Sequence, residues 1–415
     1  MTAQTTTLLL VPLLAVLAPI ITRVFSRWVA VPGIVFELLL GIAVGPAVLN
    51  LVHPSDFLET LSKFGVVMLF FMAGTELDAA AMRDRTGRMA WAGWLLSFAV
   101  GTALGAIIAP GMGAVIIGIA LSSTALGTLI PVLRDSGELQ TPFGRTVGAV
   151  GAVGEFGPII AVSVVLSERS TLAAVLVLAA FAVIAVLAIR QAGRASHGRL
   201  HRFVENTMHT SGQFAVRLVI LIVAALVALS LALKVDILLG AFTAGIVWKL
   251  LISDAAPETR DQVESKIEGL AFGFLIPVFF ITTGIDFDLK ALLAQPWTFA
   301  VVPAVTLLLL LVRGLPSSTA VLPGTGRAER MSVALMGATG LPMIIVATSA
   351  GVSAGHLSST AAAVLVGGGM LSVLLYPALA ATLRSRTADP NVPTPDDDDP
   401  AGTDPDDTGR SASVA

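Results

Sequence analysis

The chain has no cysteine. Disulfides, thiolate metal centres and cysteine nucleophiles are therefore excluded. It is also poor in charge: Asp, Glu, Lys and Arg make up 13% of the 415 residues, against about 25% in soluble proteins. No Gly-rich phosphate loop ending in Gly-Lys-Ser/Thr occurs, which argues against direct coupling to ATP. There is no His-Glu-x-x-His pair for a metalloprotease and no pair of intramembrane aspartates for an aspartyl protease. What remains is apolar, 55% of residues with a mean hydropathy of +0.88. Apolar stretches of spanning length recur along nearly the whole chain. This is the composition of an all-α, polytopic membrane protein and not of an enzyme, and nothing in it calls for a cofactor or a nucleic acid. The net charge of −3 averages a basic membrane part with an acidic tail. Arg23 and Arg27 follow the first apolar run and no positive charge precedes it, so that run reads as a span and not as a cleaved signal peptide.

Thirteen spans are expected, at 6–25, 31–49, 62–79, 89–109, 113–133, 145–167, 171–190, 214–233, 236–252, 267–285, 297–314, 329–350 and 358–382. With these spans, 21 of the 25 Lys and Arg residues fall after odd-numbered spans or in the tail. Only Lys63, Arg169, Lys234 and Lys290 fall on the other side. Basic loops stay in the cytoplasm, so the N-terminus is expected outside and the C-terminus inside. Residues 190–212, with His197, His201 and His209, read as a basic loop near lipid head groups. Residues 254–268 read as an amphipathic cytoplasmic connector. From 388 to 415 the chain has eight aspartates, five prolines and almost nothing apolar, so a disordered acidic cytoplasmic tail is expected after a transmembrane domain at 1–387.

Two motifs recur. Leu39 to Gly45 (LLGIAVG) resembles Leu239 to Gly245 (LGAFTAG), and Phe70 to Asp78 (FFMAGTELD) resembles Phe279 to Asp288 (FFITTGIDFD). The first copy of the second motif ends inside and the second copy ends outside. The halves are thus expected to be inverted repeats, with a site near the midplane where interrupted helices cross. The fifth span holds Ser122-Ser123-Thr124-Ala125-Leu126-Gly127 and then Pro131. The twelfth holds Gly337-Ala338-Thr339-Gly340-Leu341-Pro342. Proline has no N–H, so Pro131 frees the carbonyl of Gly127 and Pro342 that of Ala338. Helix breaks are expected at both places.

The sixth span carries one charge in its interior, Glu155. A carboxylate at that depth is costly unless paired, wetted or protonated, which makes it a functional-site candidate. Pro158 frees the carbonyl of Gly154 beside it, and a helix break is expected there too. A bare carbonyl next to a carboxylate suits a hard cation. Gly148, Gly151, Gly154 and Gly157 leave room for neighbouring helices. Glu37, near the start of the second span, is a possible gate.

VPGIVFELLLGIAVGP, FGVVMLFFMAGTELD, SSTALGTLIPVLRDSGEL and IPVFFITTGIDFDL together resemble the monovalent cation:proton antiporter superfamily, on its Kef-like and Nap-like bacterial branch, over residues 5–385. The resemblance implies a homodimer in the inner (cytoplasmic) membrane. Each subunit would have a core of spans 4–6 and 11–13 (about 89–167 and 297–382) and a scaffold of spans 1–3 and 8–10 (about 6–79 and 214–285). Transport would be an elevator movement of core against scaffold. The superfamily's Asn-Asp or Asp-Asp pair reads Gly154-Glu155 here. A basic residue in the eleventh span aligns with Arg313, the expected charge partner of Glu155. The ligands expected for a transported Na+ or K+ are Glu155, Thr124, Ser123 and the carbonyls of Gly154, Gly127 and Ala338, with no other metal site. With one acid, cation and proton would compete and exchange would be electroneutral. Two alternatives are an ion-coupled organic-anion carrier on the same fold and a Kef-like K+ efflux protein.

Overall fold

The computed structural model describes residues 3–25, 32–77, 82–165, 171–195, 213–253 and 255–385. The three histidines of the basic loop and the acidic tail lie outside the described residues. The first half contains α1 (Ala3–Phe25), α2 (Gly33–Val44), α3 (Asp56–Glu76), α4 (Arg85–Ile108), α5 (Met112–Ser122), α6 (Leu126–Asp135), α7 (Pro142–Val165) and α8 (Thr171–Ala195). The second contains α9 (Gln213–Leu233), α10 (Ile237–Ile252), α11 (Pro257–Leu270), α12 (Ile276–Asp286), α13 (Leu289–Leu293), α14 (Thr298–Leu309), α15 (Arg327–Gly337), α16 (Pro342–Ser353) and α17 (Ser359–Ser385). No strand occurs among the described residues. Ten helical runs are long and apolar enough to cross a membrane. Three shorter apolar helices, Gly33–Val44, Leu172–Leu187 and Ile237–Ile252, fall where the second, seventh and ninth spans were expected.

The helix starts follow local chemistry. Ser55 caps α3 by accepting from Leu58 N, with Asp56 and Glu59 in the first turn. Asp236 caps α10 by accepting from Leu238 N. In both cases an acceptor satisfies an amide that the helix cannot.

Two expectations shift. The helical part of the expected connector, from Pro257, is not separate from the next span: α11 runs through a π turn, Ala271–Leu275, directly into α12. The eleventh span does not end at 314 either. α14 continues through a π turn, Leu310–Gly314, to Ala320. Arg313 therefore lies well inside a helical run and not at its edge.

The helices pack in two groups. α1 to α3 pack with α9 to α12, and α4 to α7 pack with α14 to α17. In the first group the repeats exchange partners: α2 lies on α12 and α3 on α10. Both contacts need bare glycine. A Cβ on Gly74 would strike Phe242 O and approach Gly245 Cα, and a Cβ on Gly284 would strike Leu38 O and approach Gly41 Cα. Reciprocally, Gly245 abuts Phe71 O and Gly41 abuts Ile281 O. The two contacts are one contact made twice, as two related halves require. They also correct the register read from sequence by one helical turn: Gly41 corresponds to Gly245, and Leu38 to Phe242.

Candidate functional site

In the second group two helices stop and restart. Ser123, Thr124 and Ala125 separate α5 from α6, and residues 338–341 separate α15 from α16. Unwound backbone inside a membrane must find partners, and here the two breaks supply them to each other. Ala125 N donates to Thr339 O at 2.7 Å, and Thr124 Oγ1 donates to Gly337 O at 2.6 Å. Alongside, Thr124 N donates to Gly154 O of α7 at 2.9 Å. Gly340 N donates to Ser372 Oγ of α17 at 3.2 Å.

Glu155 stands beside this crossing and is 1% exposed. The backbone amide of Leu126, the first residue of α6, faces its carboxyl group. The positive end of the half-helix thus faces the acid, a favourable placement for negative charge. The second carboxyl oxygen, Oε2, is buried without a protein partner.

Arg313 is fully buried. Its Nε donates to Thr124 Oγ1 at 2.9 Å and its Nη2 to Val150 O at 2.8 Å, while Nη1 has no protein partner. The expected direct pair with Glu155 is not formed: no ion pair within 4.0 Å joins them among the described residues. The guanidinium serves the crossing instead, since the hydroxyl that accepts from it also bonds Gly337. A Cβ on Gly154 would lie 2.5 Å from Arg313 Nη2 and 2.5 Å from Thr124 Oγ1. The arginine and threonine thus fill the place into which a side chain at 154 would project. This is the physical reason that the first position of the Gly154-Glu155 pair is bare.

The remaining expected site residues divide. Ser123 lies in the first break and donates its hydroxyl to Ala120 O at 2.8 Å. Ala338 ends α15 and Pro342 opens α16, where its missing N–H costs nothing. Gly127 is in the first turn of α6. The carbonyl of Gly154 accepts from Thr124 N and keeps its second lone pair. Pro158 does not break its helix, since α7 runs unbroken through it. Nor is Pro131 at a break: it lies inside α6, downstream of the interruption. Glu37 is 9% exposed and belongs to α2 in the other helix group, and its Oε2 also lacks a protein partner.

Several participants had no signal in the sequence. The carbonyls of Gly337, Thr339 and Val150 and the amide of Leu126 are backbone groups that every residue carries. Ser372 could have been found, as a hydroxyl following Gly367-Gly368-Gly369 in an apolar span. The glycines of α7 face different neighbours: Gly151 meets Leu126, Gly157 meets the Trp94 ring, and Gly148 meets nothing within 4 Å.

Residues 13–383 match the family described as "Sodium/hydrogen exchanger, transmembrane". The chain belongs to the sodium/hydrogen exchanger family. Within it, the Na(+)/H(+)-K(+) antiporter GerN of Bacillus cereus is 26% identical over 326 residues, covering 74% of this chain and 80% of GerN. The Na(+)/H(+) antiporter of Enterococcus hirae is 23% identical over 332 residues, covering 75% of this chain and 83% of that one. Among solved structures, the sodium proton antiporter MjNhaP1 from Methanocaldococcus jannaschii superposes with a TM-score of 0.69. That match covers 93% of this chain and 99% of MjNhaP1 at 16% identity, a likeness of fold. The exchanger family contains transporters, and the protein is a multi-pass membrane transporter and not an enzyme.

Proposed function

We propose that the protein exchanges a monovalent cation, Na+ or K+, for H+ across the cytoplasmic membrane, with both ions competing for Glu155. One observation carries this reading. A fully buried carboxyl group faces the start of a half-helix and keeps one oxygen, Oε2, without a protein partner. Such a group is neutralised by a proton or by a cation and does not hold both. The relatives named above, Na+/H+ antiporters of which one also carries K+ in its name, support the choice of ions.

In this reading Glu155 is the ion and proton carrier. Ser123, the remaining lone pair of Thr124 and the carbonyls of Gly154, Gly127 and Ala338 complete the cation's shell. Arg313 remains a guanidinium, because guanidinium does not deprotonate in proteins. It fixes the crossing and offsets negative charge without carrying a second proton. Gly154 supplies no second acid, so exchange is one for one and electroneutral. The group α4–α7 with α14–α17 moves as the core against the scaffold α1–α3 with α9–α12. The protein works as a homodimer with its N-terminus outside and its C-terminus in the cytoplasm.

The organic-anion alternative asks for several cationic or aromatic groups at the crossing. Arg313 is the one cation whose contacts there are described, and two of its nitrogens are already committed. The test uses vesicles containing purified protein and a pH dye, with Li+, Na+, K+ and an organic acid offered in parallel. A Na+ or K+ gradient is expected to drive proton flux, and Glu155→Gln is expected to stop it while leaving the protein folded. Proton flux of normal size in Glu155→Gln would remove this carboxyl from the mechanism. A potassium–valinomycin potential is expected to leave the rate unchanged, and acceleration by that potential would overturn electroneutrality.

A further inference from the structure

Two cavities lie between the helix groups, near opposite ends of α3, and they differ. At one end Arg134, in the last turn of α6, reaches across to the other group. Its Nη2 lies 3.6 Å from Glu76 Oε1 at the end of α3, and its Nη1 lies 3.4 Å from Glu268 Oε1 on α11. These three charged residues line a cavity of about 90 Å³ together with Met72, Gly127 and Ile130. At the other end of α3, beside Glu59, a cavity of about 480 Å³ reaches Thr282, Asp286, Ile345 and Ser349. Glu59 and Glu76 are about 25 Å apart along the helix at 1.5 Å per residue, so these are opposite mouths.

The inverted repeat relates the two mouths residue by residue. The register that pairs Gly74 with Gly284 pairs Met72 with Thr282 and Glu76 with Asp286. At the crossing, Thr124-Ala125-Leu126 aligns with Thr339-Gly340-Leu341. That register pairs Ile130 with Ile345 and Arg134 with Ser349. Four lining positions therefore recur at the two mouths, and each mouth carries acids on the first helix group. They differ at the position facing those acids: one has an arginine long enough to reach across, and the other has a serine. At the wider mouth the cation among the lining residues is Lys63, which is held 2.7 Å from Glu59 on its own helix.

We infer that Arg134 is a one-sided latch. Its contacts with Glu76 and Glu268 hold the helix groups together at their end, and the absence of a counterpart at Ser349 leaves the Asp286 end free to open. The ion-free protein thereby rests with the Asp286 mouth open. Opening the other mouth requires both contacts to break, and nothing comparable opposes the return.

The test exploits the lack of native cysteine. Ile130→Cys and Ile345→Cys, which are repeat counterparts in the two cavities, are made singly in the full chain and reconstituted without transported ions. The rate of modification by a small hydrophilic thiol reagent is then compared between Arg134 and Arg134→Ser backgrounds. Arg134→Ser gives both mouths the same residue. It is expected to raise the Ile130→Cys rate about three- to tenfold and lower the Ile345→Cys rate, the range set by two half-exposed ion pairs. Glu76→Gln with Glu268→Gln removes the other side of the latch and is expected to reproduce the shift. Arg134→Lys is expected to retain most of the native ratio. Unchanged rates in folded, monodisperse Arg134→Ser protein overturn the latch. So does a shift in Arg134→Ser that the double glutamine variant fails to reproduce. Neither outcome bears on Glu155, whose test is the proton flux described above.

Discussion

At the scale of the residue, the most constrained position is a missing side chain. Gly154 leaves a space that Arg313 and Thr124 enter to within 2.5 Å of where a Cβ would stand. Gly154→Ala is expected to destabilise the protein by about 1–3 kcal/mol, the cost of overpacking a filled interior. It should also lower exchange more than its size suggests, because the group displaced is the one that holds the crossing. Thermal unfolding in detergent and vesicle flux check both. Thr124 is the second such position. Its hydroxyl accepts from Arg313 and donates to Gly337. Thr124→Val keeps the shape and leaves a buried guanidinium nitrogen and a buried carbonyl without their partner. A loss of about 1–3 kcal/mol is expected, of which Thr124→Ser should recover most. Equal stability of the valine and serine variants would show that the hydroxyl is not what ties these elements.

At the scale of the element, the pseudo-symmetric glycine contacts decide how α2, α3, α10 and α12 pack. Gly74 approaches Phe242 O, and Gly284 approaches Leu38 O at the related place. Neither obstacle is a side chain that can turn away. Gly74→Ala and Gly284→Ala are each expected to cost about 1–3 kcal/mol, and to do so similarly, because each meets the same backbone geometry. Unfolding of the two variants under one detergent condition is the measurement, and a large penalty at one site alone would break the equivalence. The aromatic rings work differently. Phe156, next to Glu155, stacks on Phe242 of α10 with centroids 5.2 Å apart. Trp91 and Trp94 of α4 pack edge to face, and Trp91 reaches Phe156 in the same way.

At the scale of the whole molecule, the distribution of Lys and Arg makes a prediction about sidedness. Val48 lies between α2 and α3, and Gln140 lies between α6 and α7; both are exposed. With the N-terminus outside, Val48→Cys should react with a membrane-impermeant thiol reagent in intact cells, and Gln140→Cys should react only after the membrane is opened. The opposite pattern would invert the orientation, and equal labelling would break the span assignment between them.

Much of this architecture was legible in the chain. Apolar length made it a polytopic helical membrane protein, because lipid leaves backbone groups no partner outside a helix or a closed barrel. Recurrent motifs pointed to related halves, and one acid in the middle of a span pointed to Glu155. The sequence could not say which breaks are real. A proline marks a lost hydrogen bond, but whether the helix stops there depends on what the neighbouring backbone offers. Pro342 therefore opens a half-helix, while α6 and α7 run through Pro131 and Pro158. Composition and order alone determined the class of the protein, its approximate spans and its buried acid, since these follow from the cost of placing polar groups in hydrocarbon. Only tertiary structure decided that Arg313 bonds Thr124 and Val150 instead of Glu155, and that Gly41 meets Gly284. Those are distances between segments remote in the chain, and no local pattern contains them.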